Sequence, residues 1–301
     1  FFLEQRYGLT KQTLPGWLGD QARSWALGLV LASAAASLVY ATIRTWPGQW
    51  WLVAGALFAA LIIAIVHLAP VLLMPVFYRI EPLDRPELLA RLVALARRAG
   101  TPIVGVSVWS LGDKTRKANA ALTGVGRTRR ILVSDTMLAE YSDDEIEVVL
   151  AHELAHHVHG DIWKGIALQS ALVVAGFYVA AQVLAGLAGW AGLRDVADVA
   201  GLPLLVLAAG FVSLVMAPAS HAWSRAHERA ADRFAWQLTG NPEAFVTALR
   251  RLATQNLAEE EPSKLVEWLF HSHPPFAERI AAAQAAGRQA VRTGWEAPRG
   301  R

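Results

Sequence analysis

The chain of 301 residues contains no cysteine. That excludes a disulfide framework and any thiolate metal site, so a metal ion here would have to be held by histidine and carboxylate. Net charge is scarce as well. Lys and Arg number 28 against 25 Asp and Glu, a formal balance of +3, too small to argue for nucleic acid as a partner. The first residue is not methionine, and no signal-peptide pattern is read at the start of the sequence. The chain opens at Phe1, and the reading frame is expected to start upstream, with further membrane spans.

Apolar residues are abundant. They make up 54% of the chain, which is high for a soluble domain, and they gather in runs. Phe1 to Arg23 is mixed and polar, broken by Gly8, Pro15 and Gly19. Trp25 to Ile43 and Trp50 to Val76 are then long enough to cross a bilayer, as are Ile166 to Leu193 and Leu202 to Ala219. Inside the second run, His67 is expected to be a hydrogen-bonded polar residue facing the bundle. Gln169, Ser170 and Gln182 in the third are expected to face protein or a water-filled cavity rather than lipid. The connections Arg44–Gln49 and Arg194–Gly201 hold one arginine each, whereas the opposite side carries Arg23, Arg79, Arg85, Lys164, Arg225 and Arg229. The positive-inside rule therefore places the polar segments and both ends in the cytoplasm, in a multi-pass protein of the cell membrane.

Between the second and third runs the material is charged and aqueous. Pro86 to Ala99 reads as an amphipathic helix and Ile103 to Trp109 as a strand. Ala118 to Gly124 and Arg130 to Ser134 read as a hairpin across Val125-Gly126-Arg127-Thr128.

The most informative stretch follows. His152-Glu153-Leu154-Ala155-His156 carries two histidines four apart, which share one helix face about 6 Å apart along the axis. That spacing lets two imidazoles grip one Zn2+, with Glu153 beside the metal as acceptor of a proton from water. A helix is required there, and the sequence provides for one. Ser142 and Glu145 fit a capping box, and Ile146, Val149, Leu150 and Leu154 form a helical apolar stripe. The plain alternative is a chance match on a surface helix. His157 points about 100° away from His156 and is expected in solvent. His159 is expected to make a nearby polar contact rather than serve as a fourth ligand.

A third ligand should lie on another helix. Glu228 and Asp232 are again four apart. Glu228 as ligand and Asp232 as acceptor for a ligating imidazole is a coherent division; the alternative is a solvated charged face shared with Arg225, Arg229 and Arg233. His156 lies eight residues before Lys164, where the third apolar run begins, and Glu228 eight residues after Ser220, where the fourth ends. Continuous helices would bring both ligands roughly 12 Å beyond the membrane boundary, unless Pro218 kinks the second helix.

Taken together, these stretches make the sequence resemble the type I CAAX prenyl endopeptidases, integral-membrane zinc metalloproteases. The likeness runs from near Gln5 to Ile280 and includes Ala118-Asn119-Ala120, Arg130 to Thr136, the His-Glu-x-x-His helix, Glu228 to Asp232, and His271-Ser272-His273-Pro274-Pro275-Phe276-Ala277-Glu278-Arg279-Ile280. The resemblance implies a mainly α fold, with multi-span membrane helices and a zincin-like domain carrying a small β-sheet. It implies His152, His156 and Glu228 as zinc ligands and Glu153 as catalytic base. Asp232 orients a ligand or, alternatively, donates a proton. His273 stabilises the oxyanion, with a loop-capping histidine as the alternative. Asn119 and Ala120 line the cleft on an edge strand that can hold an extended peptide. Members of this family generally carry three further spans before the part matched here.

The expected division is 1–76 with two spans, 77–165 with the zincin-like part, 166–219 with two more spans, and 220–301 with the third ligand and the His-Pro motif. The expected activity is zinc-dependent hydrolysis of peptide bonds in a peptide or protein substrate at the lipid bilayer. Two alternatives are a bacterial quality-control membrane protease of related fold and a non-catalytic membrane zinc-binding protein. Glu153 argues against the latter, since zinc storage has no use for that carboxylate.

Overall fold

The computed structural model describes residues 1–72, 74–124, 129–259 and 261–293. In chain order the helices are α1 (Phe2–Arg6), α2 (Leu14–Thr45), α3 (Trp50–Leu72), α4 (Met74–Phe77), α5 (Pro86–Arg98), α6 (Asp135–Glu140), α7 (Asp143–Val158), α8 (Asp161–Leu187), α9 (Leu202–Thr239), α10 (Pro242–Gln255), α11 (Lys264–Phe270) and α12 (Phe276–Thr293). The strands are β1 (Ile80–Pro82), β2 (Gly105–Trp109), β3 (Ala120–Thr123) and β4 (Arg130–Ser134). The chain divides into two compact units. One comprises Phe1–Leu14, Ala69–Ile162 and Ser220–Arg301, the other Pro15–Leu68 and Trp163–Ala219.

The first unit contains the sheet, in the order β1-β2-β4-β3. β3 and β4 pair antiparallel, as the hairpin reading expects; its turn at 125–128 lies outside the described residues. β2 and β4 run parallel, and β1 adds an antiparallel edge that the sequence reading did not anticipate. One core joins sheet and helices. α5 contributes Leu88, Leu92 and Leu95, and α7 contributes Ile146, Leu150 and Leu154, all at most 1% exposed. Both triplets recur at helical spacing, so each helix turns one stripe inward. Burying each such side chain stabilises the fold by about 1.5–3 kcal/mol.

α7 is also fixed at its start. The Ser142 hydroxyl accepts from the Glu145 N–H while the Glu145 carboxylate accepts from the Ser142 N–H, completing the capping box. The acidic first turn meets cations from both sides. Arg85 reaches Asp143 at 2.5 Å, Arg91 pairs with Asp144 and Glu147, and Arg251 lies 3.4 Å from Glu145. Carboxylates at a helix N-terminus also oppose the helix dipole favourably.

The second unit packs Val39, Tyr40 and Ile43 of α2 with Trp50 and Ala54 of α3, Ala180 and Leu184 of α8, and Leu205 and Ala208 of α9. Small residues allow close approach: a Cβ on Gly55 would stand 3.1 Å from the backbone of Val174. Four helices are long and apolar enough to cross a membrane, in line with the four runs read from the sequence.

The start of α2 differs from expectation, and the polar and proline positions within the other spans each have a defined setting. α2 begins at Leu14 and runs through Gly19, because Pro15 falls in its first turn, where no N–H is required of it. His67 bonds back to the Ile63 carbonyl of its own helix at 2.6 Å, which satisfies it locally. Gln169 and Gln182 are exposed on α8. α9 continues through Pro218 without interruption.

Candidate active site

α7 presents His152, Glu153 and His156, and α9 presents Glu228 and Asp232. The two imidazoles meet at Nε2, 3.3 Å apart. Glu228 Oε2 lies 3.3 Å from His152 Nε2, and Oε1 lies 3.4 Å from His156 Nε2. Each residue thus offers one ligand atom to a common point.

The outer nitrogens decide what those inner atoms carry. His152 Nδ1 stands 2.9 Å from Asp232 Oδ1, and His156 Nδ1 stands 3.1 Å from Asp161 Oδ2. Asp232 is itself held by Arg279, which donates from Nε at 2.8 Å and from Nη2 at 2.6 Å. An ionised carboxylate cannot donate, so in a neutral imidazole the proton sits on Nδ1 and the lone pair on Nε2. Two lone pairs and a carboxylate then converge with no donor between them. His152 Nδ1 and Glu228 Oε2 have close neighbours without hydrogen-bond angles, and neither buried atom has a hydrogen-bond partner among the described residues. A cation satisfies all three groups at once, and the donor set of two His and one Glu suits zinc.

The electrostatics agree. Burial pushes the His152 imidazole down, but the Asp232 and Glu228 carboxylates outweigh it and raise it to about 9. His156 is likewise raised: burial opposes the shift, and the bonds to Glu228 and Asp161 overcome it. Without a metal, the carboxylates draw protons onto the same atoms that would bind one. Glu153 is raised chiefly by burial, partly offset by the two histidines.

The cleft holds about 140 Å³ and is lined by Ala118, Asn119, Ala120, His152, Glu153, Glu228, His273 and Arg279. Its apolar wall comes from Met137, Val149, Phe245, Ala248, Leu249 and Leu252. His273 Nδ1 lies 2.8 Å from Glu228 Oε2, with its side chain 61% exposed. Of the site residues expected from the sequence, His152, Glu153, Glu228, His273, Asn119 and Ala120 border this cleft, while His156 and Asp232 stand behind it in contact with Glu228 and His152. Asn119 and Ala120 differ in what they offer. The Asn119 carbonyl accepts from Ser134 N–H, and its N–H donates to Ser134 Oγ, so its backbone is used within the sheet. Backbone groups alternate along a strand, so Ala120 turns its N–H and C=O to the free edge.

Two neighbours behave otherwise than expected, and two were missed. His157 is not in solvent: it is half-buried and reaches the Leu122 carbonyl at 3.3 Å, the next outward-facing group of β3. Burial lowers its pKa. His159 packs its ring against Phe234 at 5.5 Å. Asp161, unremarked in the sequence, orients His156 and also lies 3.5 Å from His227 Nε2. Gly160, at φ +69°, turns the chain between α7 and α8 so that an acid five residues past His156 can reach back to it. That acid was the available signal. Arg279 lay inside the quoted His-Pro motif without an assigned role.

Known protein families match most of this chain. The model of peptidase family M48 matches residues 82–286, and that of the CAAX prenyl protease N-terminal region, described as five membrane helices, matches 1–79. The chain is 31% identical over 282 residues to the "uncharacterized metalloprotease YhfN" of Bacillus subtilis and 27% identical over 304 residues to "CAAX prenyl protease 1" of Saccharomyces cerevisiae. These matches cover 92% and 94% of this chain, which spans 66% of the length of each relative. The crystal structure of S. mikatae Ste24p superposes with a TM-score of 0.86 at 24% identity, over 93% of this chain and 69% of that one, and shares the fold. With four apolar helices and a matching membrane-helix region, this is a membrane protein. The resemblance carried by the motifs is borne out: the chain belongs to peptidase family M48.

Proposed function

We propose that this protein is a membrane-embedded zinc metalloendopeptidase. The observation that carries the reading is the convergence of His152 Nε2, His156 Nε2 and Glu228, with Glu153 on the wall of the same cleft. His152, His156 and Glu228 hold the metal. Zinc, when bound, supplies Lewis acidity that polarises the scissile carbonyl and makes water easier to deprotonate. Glu153 accepts the proton of the attacking water and passes it to the leaving amine. Burial of Glu153 strengthens it as a base.

Asp232 and Asp161 keep Nδ1 of the two imidazoles protonated, which orients Nε2 toward the metal. The two hydrogen bonds that Asp232 accepts from Arg279 support this orienting role over that of proton donor. His273, exposed at the cleft mouth, is placed to stabilise the oxyanion. An extended peptide pairs with the outward N–H and C=O of Ala120, and the Asn119 side chain stands beside it. The substrate is a peptide or protein. Relatives named CAAX prenyl protease make a lipidated one the first class to try. The excess of arginine and lysine on one side of the spans supports a cytoplasmic face for the catalytic unit.

The test is Glu153→Gln. All metal-holding groups remain, so zinc content should stay at the wild-type level while peptide cleavage falls by about 10²–10⁴-fold. Glu228→Ala should lose zinc. Wild-type cleavage by Glu153→Gln would overturn the mechanism, and full zinc in Glu228→Ala would overturn the ligand set.

A further inference from the structure

α11 is built inside out. At about 100° per residue, Trp268, Leu265, Leu269, Val266 and Phe270 sweep an arc of roughly 200°, and only Lys264 and Glu267 fall outside it. The apolar arc faces away from the protein. Leu265 is 64% exposed, Trp268 51% and Phe270 68%, whereas Glu267 is 7% exposed. The protein contacts the polar sliver. The buried Arg225 of α9 lies 3.7 Å from Glu267 Oε1 and donates to the backbone carbonyls of Glu267 at 3.1 Å and His271 at 2.6 Å. Lys264 Nζ is 3.0 Å from Glu267 Oε2. In water, burying an ion pair while leaving three large apolar side chains outside is the costly arrangement. An exposed apolar face of this kind marks an interaction surface.

We propose that this face of α11 lies in the interfacial layer of the lipid bilayer, as an in-plane contact separate from the four apolar spans. Three observations support lipid as the occupant. The chain carries helices that fit a membrane, so a bilayer is at hand. α11 is tied to α9 close to where the apolar run of that helix ends. His221 Nδ1 bonds to the Leu269 carbonyl at 2.9 Å, and His221 follows Met216, the last exposed large apolar residue of the run, by five residues. Finally, the exposed set pairs aliphatic residues with Trp and Phe, the composition suited to the headgroup boundary. Attraction there is apolar rather than electrostatic. Lys264 is taken by Glu267, and Glu259 and Glu261 precede the helix. Contact should therefore persist in zwitterionic phosphatidylcholine without anionic lipid.

The absence of cysteine allows a clean test. Leu265→Cys, Trp268→Cys and Phe270→Cys are each spin-labelled in the full chain, placed in phosphatidylcholine nanodiscs. Collision with oxygen, which concentrates in lipid, is compared with collision with a water-soluble nickel chelate. Leu61→Cys on α3 serves as the lipid reference and the exposed Glu243→Cys on α10 as the aqueous one. An oxygen-to-nickel ratio several-fold above that of Glu243→Cys at all three sites, approaching that of Leu61→Cys, is the expected result. A ratio like that of Glu243→Cys would put the face in water and overturn the proposal. Immobile labels shielded from both quenchers would mean that protein, for instance a second copy of the chain, covers the face, and would overturn it equally.

Discussion

Asp161 Oδ2 lies 3.1 Å from His156 Nδ1, across a turn closed by Gly160 in the left-handed region. It stands to His156 as Asp232, 2.9 Å from His152 Nδ1, stands to the other imidazole. One carboxylate comes from the start of α8 and the other from the middle of α9, and each stands beside the outer nitrogen of one imidazole.

Asp161→Asn and Asp232→Asn should therefore each weaken zinc binding, by about 10- to 100-fold. Competition with a chromophoric chelator measures this. The two should differ in stability, because only Asp232→Asn takes the charged partner from Arg279, whose side chain is 11% exposed. A larger drop in Tm is expected there. Zinc affinity unchanged in both variants would remove the orienting role.

The pH dependence has a definite sign. In the metal-free protein His152 is raised from 6.5 to about 9, so between those values the folded state holds a proton that the unfolded state has lost. The resulting stabilisation is full below pH 6.5 and is lost as pH rises through 9. Zinc must displace the same proton, so its apparent affinity should climb across that window and flatten above it. Melting of the metal-free protein and chelator titrations at several pH values would check both trends. A metal affinity independent of pH from 6.5 to 9 would contradict the assignment of His152.

Ala120→Pro probes the edge strand. The N–H that it removes points away from β4, so the sheet loses no ladder bond, whereas an extended substrate loses one. Zinc content should hold and KM should rise, with a peptide reporter as the assay. Unchanged KM would show that substrate does not pair at Ala120. Thr123, by contrast, faces β4 in the register with Arg130, and Thr123→Pro should destabilise the sheet.

The parts of the site legible in the sequence are those set by local geometry. His152 and His156 share a face because they are four apart on a helix, and that helix is specified by the Ser142–Glu145 box and the stripe Ile146, Leu150, Leu154. The four apolar runs are likewise a property of composition over a short window, and all four are helices. Local reading failed where a neighbour outside the window intervened. His157 looked solvent-facing by rotation alone, yet β3 supplies a carbonyl beside it. Gly19 looked like a break, but glycine weakens a helix by only about 1 kcal/mol relative to alanine, and α2 passes through it.

The amino-acid sequence by itself determined the motif helix and its cap, the apolar spans, the β3–β4 hairpin, and the choice of histidine and carboxylate over thiolate as metal donors. Each depends on residues a few positions apart, where backbone geometry alone dictates which side chains meet. Only the tertiary structure decided that β2 runs parallel to β4, that Asp161 and Arg279 support the two imidazoles, that Ala120 rather than Asn119 has free backbone groups, and that α11 turns its apolar face outward. Each of these depends on segments brought together by the packing of the sheet and helices, and no periodicity within one segment records which partner packing will supply.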